Sequence, residues 1–254
     1  MTRDLRLVQT TRQIPARFRC WGRWKGLAPL AGALLLAGCG IGGNSNNVAV
    51  RMVDALPSTT NLDITANGGA FVSAIPYGSI TTYGFVTTGD NQLLANAAGT
   101  TTAIIPTVTL RLTGGVYTII ASGITGNTLT PPTFFAVPDD NTSPPKGMIR
   151  VRVFNLSPDA GPVDVSIGSQ VIATSAAYPI VPVATTAGTY LTVNPNTVKN
   201  SGTNNWTITV RPAGSTTLLA TRMITALDSD HVFSFFVEGQ LANNTITMVP
   251  QEDT

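Results

Sequence analysis

The chain is poor in cysteine, histidine and charged residues. It has two cysteines, one histidine and 11% charged residues among 254. A His-based metal triad cannot be built from His231 alone. A Ser–His–Asp triad would also need His231, yet no G-x-S-x-G turn occurs, and His231 opens an apolar run typical of a strand. The sequence therefore predicts no catalytic residue, no cofactor and no metal site.

A basic N-terminus and a short apolar run end in Leu36-Ala37-Gly38-Cys39. Residues 1–25 carry seven Arg and Lys against one acid, and the apolar run 27–36 is shorter than the ~20 residues of a spanning helix. This order is typical of a bacterial lipoprotein signal with a lipobox. We therefore expect cleavage between Gly38 and Cys39 and a lipid anchor on Cys39. Gly40 in place of Asp resembles the sorting pattern of an outer-membrane lipoprotein, at the periplasmic face or the cell surface.

Removing the signal, residues 1–38, changes the charge of the chain. The whole sequence has 15 basic and 13 acidic residues, and the signal holds seven and one of them, which leaves 8 and 12, a net charge of −4. The mature chain therefore lacks the clustered positive charge that nucleic-acid binding needs. Cys20 leaves with the signal, so that Cys39 is the single cysteine of the mature chain and no internal disulfide can form.

Sixteen residues near position 50 match sixteen near position 151 without a gap. Val50 begins VRMVDALPSTTNLDIT, and Val151 begins VRVFNLSPDAGPVDVS. The matched pairs are Arg51 with Arg152, Asp54 with Asn155, Pro57 with Pro158 and Asp63 with Asp164. An offset of domain size predicts two copies of one domain. We place the copies at residues 48–137 and 148–254, with a polar, Pro-rich linker at 138–147 and a tether at 39–47.

Each copy is predicted to be all-β. Thr, Val and Ile favour strands, Gly, Pro and Asn favour turns, and turn signals recur at the spacing of a β-sandwich with about seven strands. Arg150 and Arg152 alternate with apolar residues, as in a strand with one polar face. Gln92 to Ala98 is the nearest approach to a helical turn. The predicted strands are 79–87, 103–112, 116–123 and 133–137 in the first copy, and 149–153, 163–167, 190–193, 206–211, 217–225 and 232–238 in the second.

The motif Arg152-Val-Phe-Asn155-Leu-Ser157-Pro158-Asp159-Ala-Gly161-Pro-Val-Asp164-Val resembles the opening of domain-of-unknown-function 4397, roughly R-V-V-N-x-S-P-D-A-P-x-V-D-V. Gly161 replaces the usual proline, and the first copy lacks the Ser-Pro-Asp core. The resemblance covers both copies. It implies an immunoglobulin-like or related sandwich, often found in tandem in secreted or lipid-anchored bacterial proteins, and it implies no activity.

The acids of the motif are the main candidates for chemistry. A glycosidase needs two carboxyls about 5 to 9.5 Å apart, but Asp54 becomes Asn155 in the other copy. The favoured interpretation is that Asp159 caps a turn and that Asp164 bonds to the backbone of the motif or to Arg152. Asp139, Asp140 and Asn141 in the linker have oxygen ligands suited to calcium but lack the spacing of a calcium loop.

Val232 to Glu238 is apolar at both alternating sets of positions, which predicts a strand buried on both faces. The favoured interpretation is a central core strand, and the alternative is a contact between the two copies or with a partner. Taken together, the sequence predicts a lipid-anchored envelope protein with a non-catalytic binding or structural role, whose partner is an envelope protein or a glycan. The alternatives are an envelope glycan hydrolase that uses an Asp pair and a surface adhesin.

Overall fold

The computed structural model describes residues 46–57, 60–178 and 190–253. Gly38, Cys39 and the signal lie outside these ranges, and so do the two residues at 58–59. The described residues form one compact unit by their contacts. The all-β prediction is confirmed: the described residues form strands and one short helix. Among them, no helix has the length and apolarity needed to span a membrane.

The strands of the first half follow the turn signals of the sequence. They are β1 (Asn47–Asp54), β2 (Leu62–Ala66), β3 (Gly69–Ile75), β4 (Ser79–Ile80), β5 (Gly84–Thr87), β6 (Gly89–Ala97), β7 (Ala103–Leu112), β8 (Val116–Ser122) and β9 (Thr133–Pro138). Asn67 and Gly68, both with positive φ, form the turn of the β2–β3 hairpin.

The second half repeats this plan. It contains β10 (Ile149–Asn155), β11 (Val163–Ile167), β12 (Gln170–Ala176), β13 (Leu191–Val193), the helix α1 (Pro195–Val198), β14 (Trp206–Pro212), β15 (Ala220–Ile224), β16 (Val232–Glu238) and β17 (Thr247–Glu252). Asn194 caps the helix by accepting a hydrogen bond from the amide of Asn196.

Each half is a sandwich of two sheets with the same strand pairing. The first half has one sheet in the order β4-β1-β8-β9, with β5 also on β1, and a second in the order β3-β2-β6-β7. The second half has β13-β10-β16-β17 and β12-β11-β14-β15. In both halves the strand that carries the motif arginine runs parallel to its neighbour, β1 beside β8 and β10 beside β16. The motif therefore occupies the same place in each sandwich.

The apolar residues that alternate along these strands fill one core in each half. Val50 and Met52 of β1 face the first core, and Phe233 and Phe235 of β16 face the second; none of these four side chains is more than 4% exposed. The prediction of a core strand is thus confirmed, because β16 lies between β10 and β17. The alternative also holds for its other face, because Phe236 packs between the two copies.

A third apolar cluster joins the two halves. It contains Val53, Ala55, Ile120, Phe135 and Val137 from the first half and Phe154, Leu156 and Phe236 from the second. Phe154 and Phe236 stack with ring centroids 5.1 Å apart. The sheets that contain β1 and β10 therefore pack against each other, and we call this contact the seam.

Three local predictions need correction. Gln92 to Ala98 forms no helical turn, because most of it is the strand β6 paired between β2 and β7. The predicted strand at 79–87 is two short strands, β4 and β5. The arginine face of β10 was expected to be a polar outer face, but Arg152 is 1% exposed because that face lies in the seam.

Candidate functional site: the seam between the two halves

The two motif arginines meet in the seam. Arg51 of β1 and Arg152 of β10 are both almost fully buried. Arg51 Nη2 lies 2.5 Å from Asp253 Oδ1 of the second half. Arg152 Nη2 donates to Asp139 Oδ1, next to the first half. Each arginine therefore pairs with the aspartate that follows the last strand of the other half.

A hydroxyl on the neighbouring strand completes each side of this network. Arg51 Nε donates to Thr118 Oγ1 over 2.8 Å, and Thr118 donates to Asp139 over 2.8 Å. In the second half, Arg152 Nε donates to Ser234 Oγ over 2.7 Å, and Ser234 Oγ lies 2.7 Å from Asp253 Oδ2. These hydroxyls follow from the parallel pairing, which places Thr118 opposite Arg51 and Ser234 opposite Arg152.

The network is electrically neutral, with two guanidinium groups and two carboxylates. Burial alone would lower the pKa of the Arg51 guanidinium, but the charges of Asp253 and Asp139 outweigh it and hold this pKa above its ordinary value. Buried charges are tolerated where they are paired and fully hydrogen-bonded. The network therefore fixes the halves to each other, and its charges are not free to act on a substrate.

Two tyrosines cover the network. The Tyr83 hydroxyl donates to Asp139 Oδ2 over 2.7 Å, and its ring lies 5.2 Å from the Arg51 guanidinium. Burial and the charge of Asp139 raise the pKa of Tyr83 to about 12. In the second half, the Tyr190 ring lies 4.7 Å from the Arg152 guanidinium. Both rings therefore lie within cation–π distance of a guanidinium.

The second aspartate of the motif clamps two turns inside its own half. Asp63 accepts hydrogen bonds from the amides of Ala74 and Gly99, both over 2.7 Å. These bonds lower the pKa of Asp63, and the same arrangement lowers that of Asp164. Asp164 was expected to bond to the motif backbone or to Arg152, and this was wrong.

The actual partners of Asp164 are the amides of Ser175, over 2.8 Å, and Gly214, over 2.9 Å. Ser175 and its counterpart in the first half, Ala74, both have a positive φ, near 50°. The aspartate thus stabilises an unfavourable backbone conformation at an irregularity of the sheet.

The remaining motif residues shape the ends of the seam strands. Asn155 Oδ1 accepts from the amide of Ser157 over 3.2 Å, as Asp54 does from Leu56 over 3.0 Å. Asp159 accepts from the Ser157 hydroxyl and from the amides of Leu241 and Ala242, so that it holds the β16–β17 loop as well as its own turn. Pro57 is half-buried and follows the end of β1 in the first half, and its counterpart Pro158 lines a cleft described below.

One end of the seam contains two buried acids. Asp54 is 1% exposed and Glu238 is 0% exposed. Neither carboxylate oxygen of Glu238 has a hydrogen-bond partner, and the Tyr77 hydroxyl beside them also lacks one. Burial raises the pKa of Asp54 to about 7, and burial together with the charge of Asp54 raises that of Glu238 to about 8. A hydrolase needs a carboxyl pair that a substrate can reach, and these two acids are enclosed.

The opposite end of the seam carries neutral residues at the equivalent positions. By the repeat, Asn155 is equivalent to Asp54 and Tyr178 to Tyr77. Ser122, at the end of β8, is equivalent to Glu238, at the end of β16. The Tyr178 hydroxyl donates to Ser122 Oγ over 3.3 Å, and Asn155 Nδ2 donates to the carbonyls of Gly161 and Ala176. At this end the polar groups are paired, and the surface beside them opens into a cleft.

The cleft has a volume of about 520 Å³ and is built from both halves. Its lining consists of Leu129, Thr130, Pro131, Thr133 and Phe135 from the first half and Pro158, Gly161, Pro162, Ala177 and Tyr178 from the second. The Tyr178 ring meets Phe135 edge-on, with centroids 6.0 Å apart. None of these lining residues is charged. The size and lining are typical of a site for a neutral, largely apolar ligand.

Of the other candidates from the sequence, His231, Asp139 and Asp140 have ordinary partners, and Asn141 Oδ1 is buried without a hydrogen-bond partner. His231 Nδ1 lies 2.5 Å from Glu252 Oε1 at the exposed edge of β16 and β17. Of the linker acids considered for calcium, Asp139 belongs to the seam network and Asp140 pairs with Arg150 over 2.6 Å. In the described part of the chain, no three His, Cys, Asp or Glu side chains are grouped as metal ligands would be.

Sequence reasoning missed Thr118, Asp139, Ser234 and Asp253 as partners of the motif arginines. One signal was available: an aspartate directly follows a strand near the end of each copy, at Val137-Pro138-Asp139 and at Gln251-Glu252-Asp253. The sequence could not predict which residues pair, because each arginine binds the aspartate of the other half. For Arg51 this aspartate is 202 residues away.

Residues 48–166 match the family model described as "Domain of unknown function (DUF4397)". This match supports a DUF4397 protein. It spans the first half and the opening motif of the second, so the resemblance carried by the motif is supported for this segment. The search of curated proteins found no match.

One solved structure that resembles the chain is the CBMbc module (family CBM26) from Eubacterium rectale Amy13K, in complex with maltoheptaose. The sequences are 10% identical, and the alignment covers 82% of this chain and 97% of that chain, with a TM-score of 0.22. A likeness this weak carries no argument about the ligand of this chain.

Proposed function

We propose that this chain is a lipid-anchored, non-catalytic binding protein of the bacterial cell envelope, made of two DUF4397 copies that act as one body. The lipid on Cys39 holds it at a membrane, and the cleft at the seam is its ligand site. The observation that carries the binding role is the 520 Å³ cleft, whose walls come from both halves. The matching strand order of the two halves supports two copies of one domain.

The cleft is built to hold its shape. Pro131, Pro158 and Pro162 restrict the backbone of its walls, and the Tyr178 ring is held by Phe135 and by the hydrogen bond to Ser122. A preformed apolar wall reduces the entropy lost on binding. We therefore expect the cleft to bind its ligand without a rearrangement of its walls.

The cleft also offers a hydrogen bond to its ligand. The Thr130 hydroxyl is buried in the lining and has no partner. An unpaired buried hydroxyl is costly, and a ligand that carries an acceptor or donor would remove that cost. We therefore expect a ligand with a neutral, apolar body and one polar group, presented by an envelope protein or a glycan.

The motif residues support a role without catalysis. The motif acid that both copies share, Asp63 or Asp164, accepts hydrogen bonds from two backbone amides, and the two arginines are neutralised by Asp139 and Asp253. The two acids with raised pKa values, Asp54 and Glu238, are enclosed at the other end of the seam. The hydrolase hypothesis would require these groups to face a substrate.

Photocrosslinking in intact cells tests the ligand site. A benzophenone amino acid replaces Leu129, which is 89% exposed at the rim of the cleft, and in a control strain it replaces Leu218, which is 53% exposed elsewhere. We expect a discrete crosslinked product from position 129 that is absent from position 218. Its mass and its sensitivity to protease or glycosidase identify protein or glycan. Equal products from both positions, or none, would overturn the cleft as the ligand site.

Incorporation of labelled palmitate tests the anchor independently. The wild-type chain should take up label and sediment with membranes, and the Cys39→Ala variant should do neither. Label that persists in the variant would contradict lipidation at Cys39. Protease treatment of intact cells then separates a periplasmic protein, which is protected, from a surface adhesin, which is cleaved.

A further inference from the structure

The first half has an open groove beside the start of β1. Its walls are Asn47 of β1, the β2–β3 hairpin and β5, and its volume is about 310 Å³. The lining residues are Asn47, Ala66, Asn67, Gly69, Ala70, Phe71, Phe85, Val86 and Thr87, and we call this site the tether groove. Phe85 is 71% exposed, which leaves a large apolar side chain in solvent.

Internal hydrogen bonds fix the shape of the tether groove. Asn91 is fully buried below it, and its Nδ2 donates to the carbonyls of Thr87 and Gly89 over 2.8 and 3.1 Å. Its Oδ1 accepts from Asn67 Nδ2 over 2.9 Å at the tip of the hairpin. One asparagine thus ties the hairpin tip to the turn that follows β5.

In the second half the equivalent place is covered by its own chain. The strand β13 pairs with β10 as β5 pairs with β1, and Thr192 occupies the position equivalent to that of Phe85. The helix α1 follows and closes over the hairpin, so that a Cβ on Gly168 would lie 2.5 Å from the Val198 carbonyl. Trp206, which replaces Asn91, supports the helix through a 2.8 Å hydrogen bond to the Pro195 carbonyl.

The tether groove carries no charge. The segments that form it, 46–49, 66–71 and 84–89, contain no Asp, Glu, Lys or Arg. The nearest charged residues in sequence include Asp90, whose Oδ1 lies 3.6 Å from Arg111 Nη1 across β6 and β7. A neutral surface with an exposed phenylalanine suits the interfacial region of a bilayer and gives no attraction for anionic lipid in particular.

We propose that the tether groove, with Phe85 at its rim, rests on the bilayer in which the lipid of Cys39 is embedded. The inference rests on the proposed lipid anchor. Asn47 is eight residues from Cys39, a span of at most ~28 Å of extended chain. Phe85 pairs with Ala49 on the strand that the tether enters, so it stays near that entry point. One phenyl ring would not hold a soluble protein on a membrane, but beside a covalent anchor it is enough to select an orientation.

Quenching of tryptophan emission by brominated lipid tests this orientation. Residues 39–254, with the Cys39 thiol coupled to a maleimide phospholipid, are placed in vesicles of phosphatidylethanolamine and dibrominated phosphatidylcholine. Coupling is specific because Cys39 is the only cysteine of this form. The variants F85W and A70W probe the groove, and L218W, at an exposed site of the second half, is the matched control. Trp206 is buried and supplies the same background in each.

We expect a loss of emission for F85W and A70W, relative to vesicles without bromine, and no loss for L218W beyond that of the wild type. Raising the salt concentration should leave this loss unchanged, because no charge is involved. Equal quenching of all three variants, or of none, would overturn the proposal. Because the lipid is attached chemically, this result is independent of whether cells modify Cys39, which the palmitate experiment decides.

Discussion

Arginine is an unusual residue at the centre of an apolar contact, and here it specifies which surfaces meet. Arg152 makes hydrogen bonds from three of its nitrogens, to Ser234, to the Pro138 carbonyl and to Asp139. Its planar fork of donors fits these fixed acceptors, and a lysine would match only part of the set. The arginine therefore determines the register between the halves more than it adds stability.

The first prediction concerns this arginine. Arg152→Ala should lower the free energy of unfolding by about 3–5 kcal/mol, because Asp139 loses its paired guanidinium and two buried carboxylates then share Arg51 alone. The measurement is urea denaturation followed by circular dichroism. The control is Arg111→Ala, whose side chain is 75% exposed and whose pair with Asp90 is worth about 0–1 kcal/mol. A cost for Arg152→Ala as small as that of the control would show that the buried network contributes nothing.

The second prediction concerns the enclosed acids and the pH dependence of stability. The folded pKa values of Asp54 and Glu238, about 7 and about 8, lie above their ordinary values. The native state thus binds more protons than the unfolded state, and its stability must fall as pH rises. Between about pH 5 and about pH 8 we expect a decrease of up to about 1.4 kcal/mol per pH unit for each acid.

Urea denaturation at several pH values checks this slope. The double variant Asp54→Asn, Glu238→Gln should have a flatter profile over the same range and be the more stable protein at the alkaline end. His231→Gln is the control for the single histidine of the sequence, and it should leave the slope in place. A profile that is flat in the wild type, or equally steep in the double variant, would contradict the raised pKa values.

At the scale of elements, the motif aspartate joins three strands. Asp164 lies on β11, and its two amide donors lie at the end of β12 and in the loop after β14. The third prediction is that Asp164→Ala speeds hydrogen exchange at the Ser175 and Gly214 amides, because both lose their acceptor. Asp90→Ala is the control, since Asp90 is an exposed strand residue with no such bonds. Unchanged exchange at both amides would contradict the role of Asp164 in holding these two segments.

The elements were predictable to the extent that each carries its own signal. Ala103 to Leu112 and Val232 to Glu238 have the alternation or apolar content of strands, and both were placed correctly. The strand β6 was missed because Gln92 to Ala98 is rich in Ala, Leu and Asn, and only its pairing with β2 and β7 makes it a strand. β17 was missed because its sequence, with Pro250 in it, carries a weak signal at the edge of a sheet.

At the scale of the whole molecule, the repeat indicated two copies but not how they meet. In the seam, the outer faces of β1 and β10 pack against each other, and each arginine reaches an aspartate of the opposite half. The alternation of polar and apolar residues along a strand does not show whether its outer face contacts solvent or another sheet. The cleft was equally hidden, because its ten lining residues come from the strand β9 and from separate loops of both copies. Long-range pairing of this kind is fixed by tertiary packing alone.

The last prediction follows from the seam. Because an apolar cluster and four ion-paired side chains join the halves, they should unfold in one transition. Trp206 is the only tryptophan after the signal and lies in the second half, so its fluorescence reports that half while circular dichroism reports both. In the wild type the two curves should coincide in urea. Phe236→Ala combined with Arg152→Ala should separate them, because it weakens the contact and leaves Phe233 and Phe235 in the core.

The control for that separation is Ile208→Ala, which creates a cavity inside the second core and should cost about 2–5 kcal/mol. It destabilises the second half without touching the seam, so the intact contact should still carry the first half along and the two curves should move together. If the curves already differ in the wild type, the halves fold independently and the seam is a weak contact. If they still coincide in the seam variant, cooperativity comes from elsewhere in residues 44–254, and the ligand cleft does not depend on the arginine network.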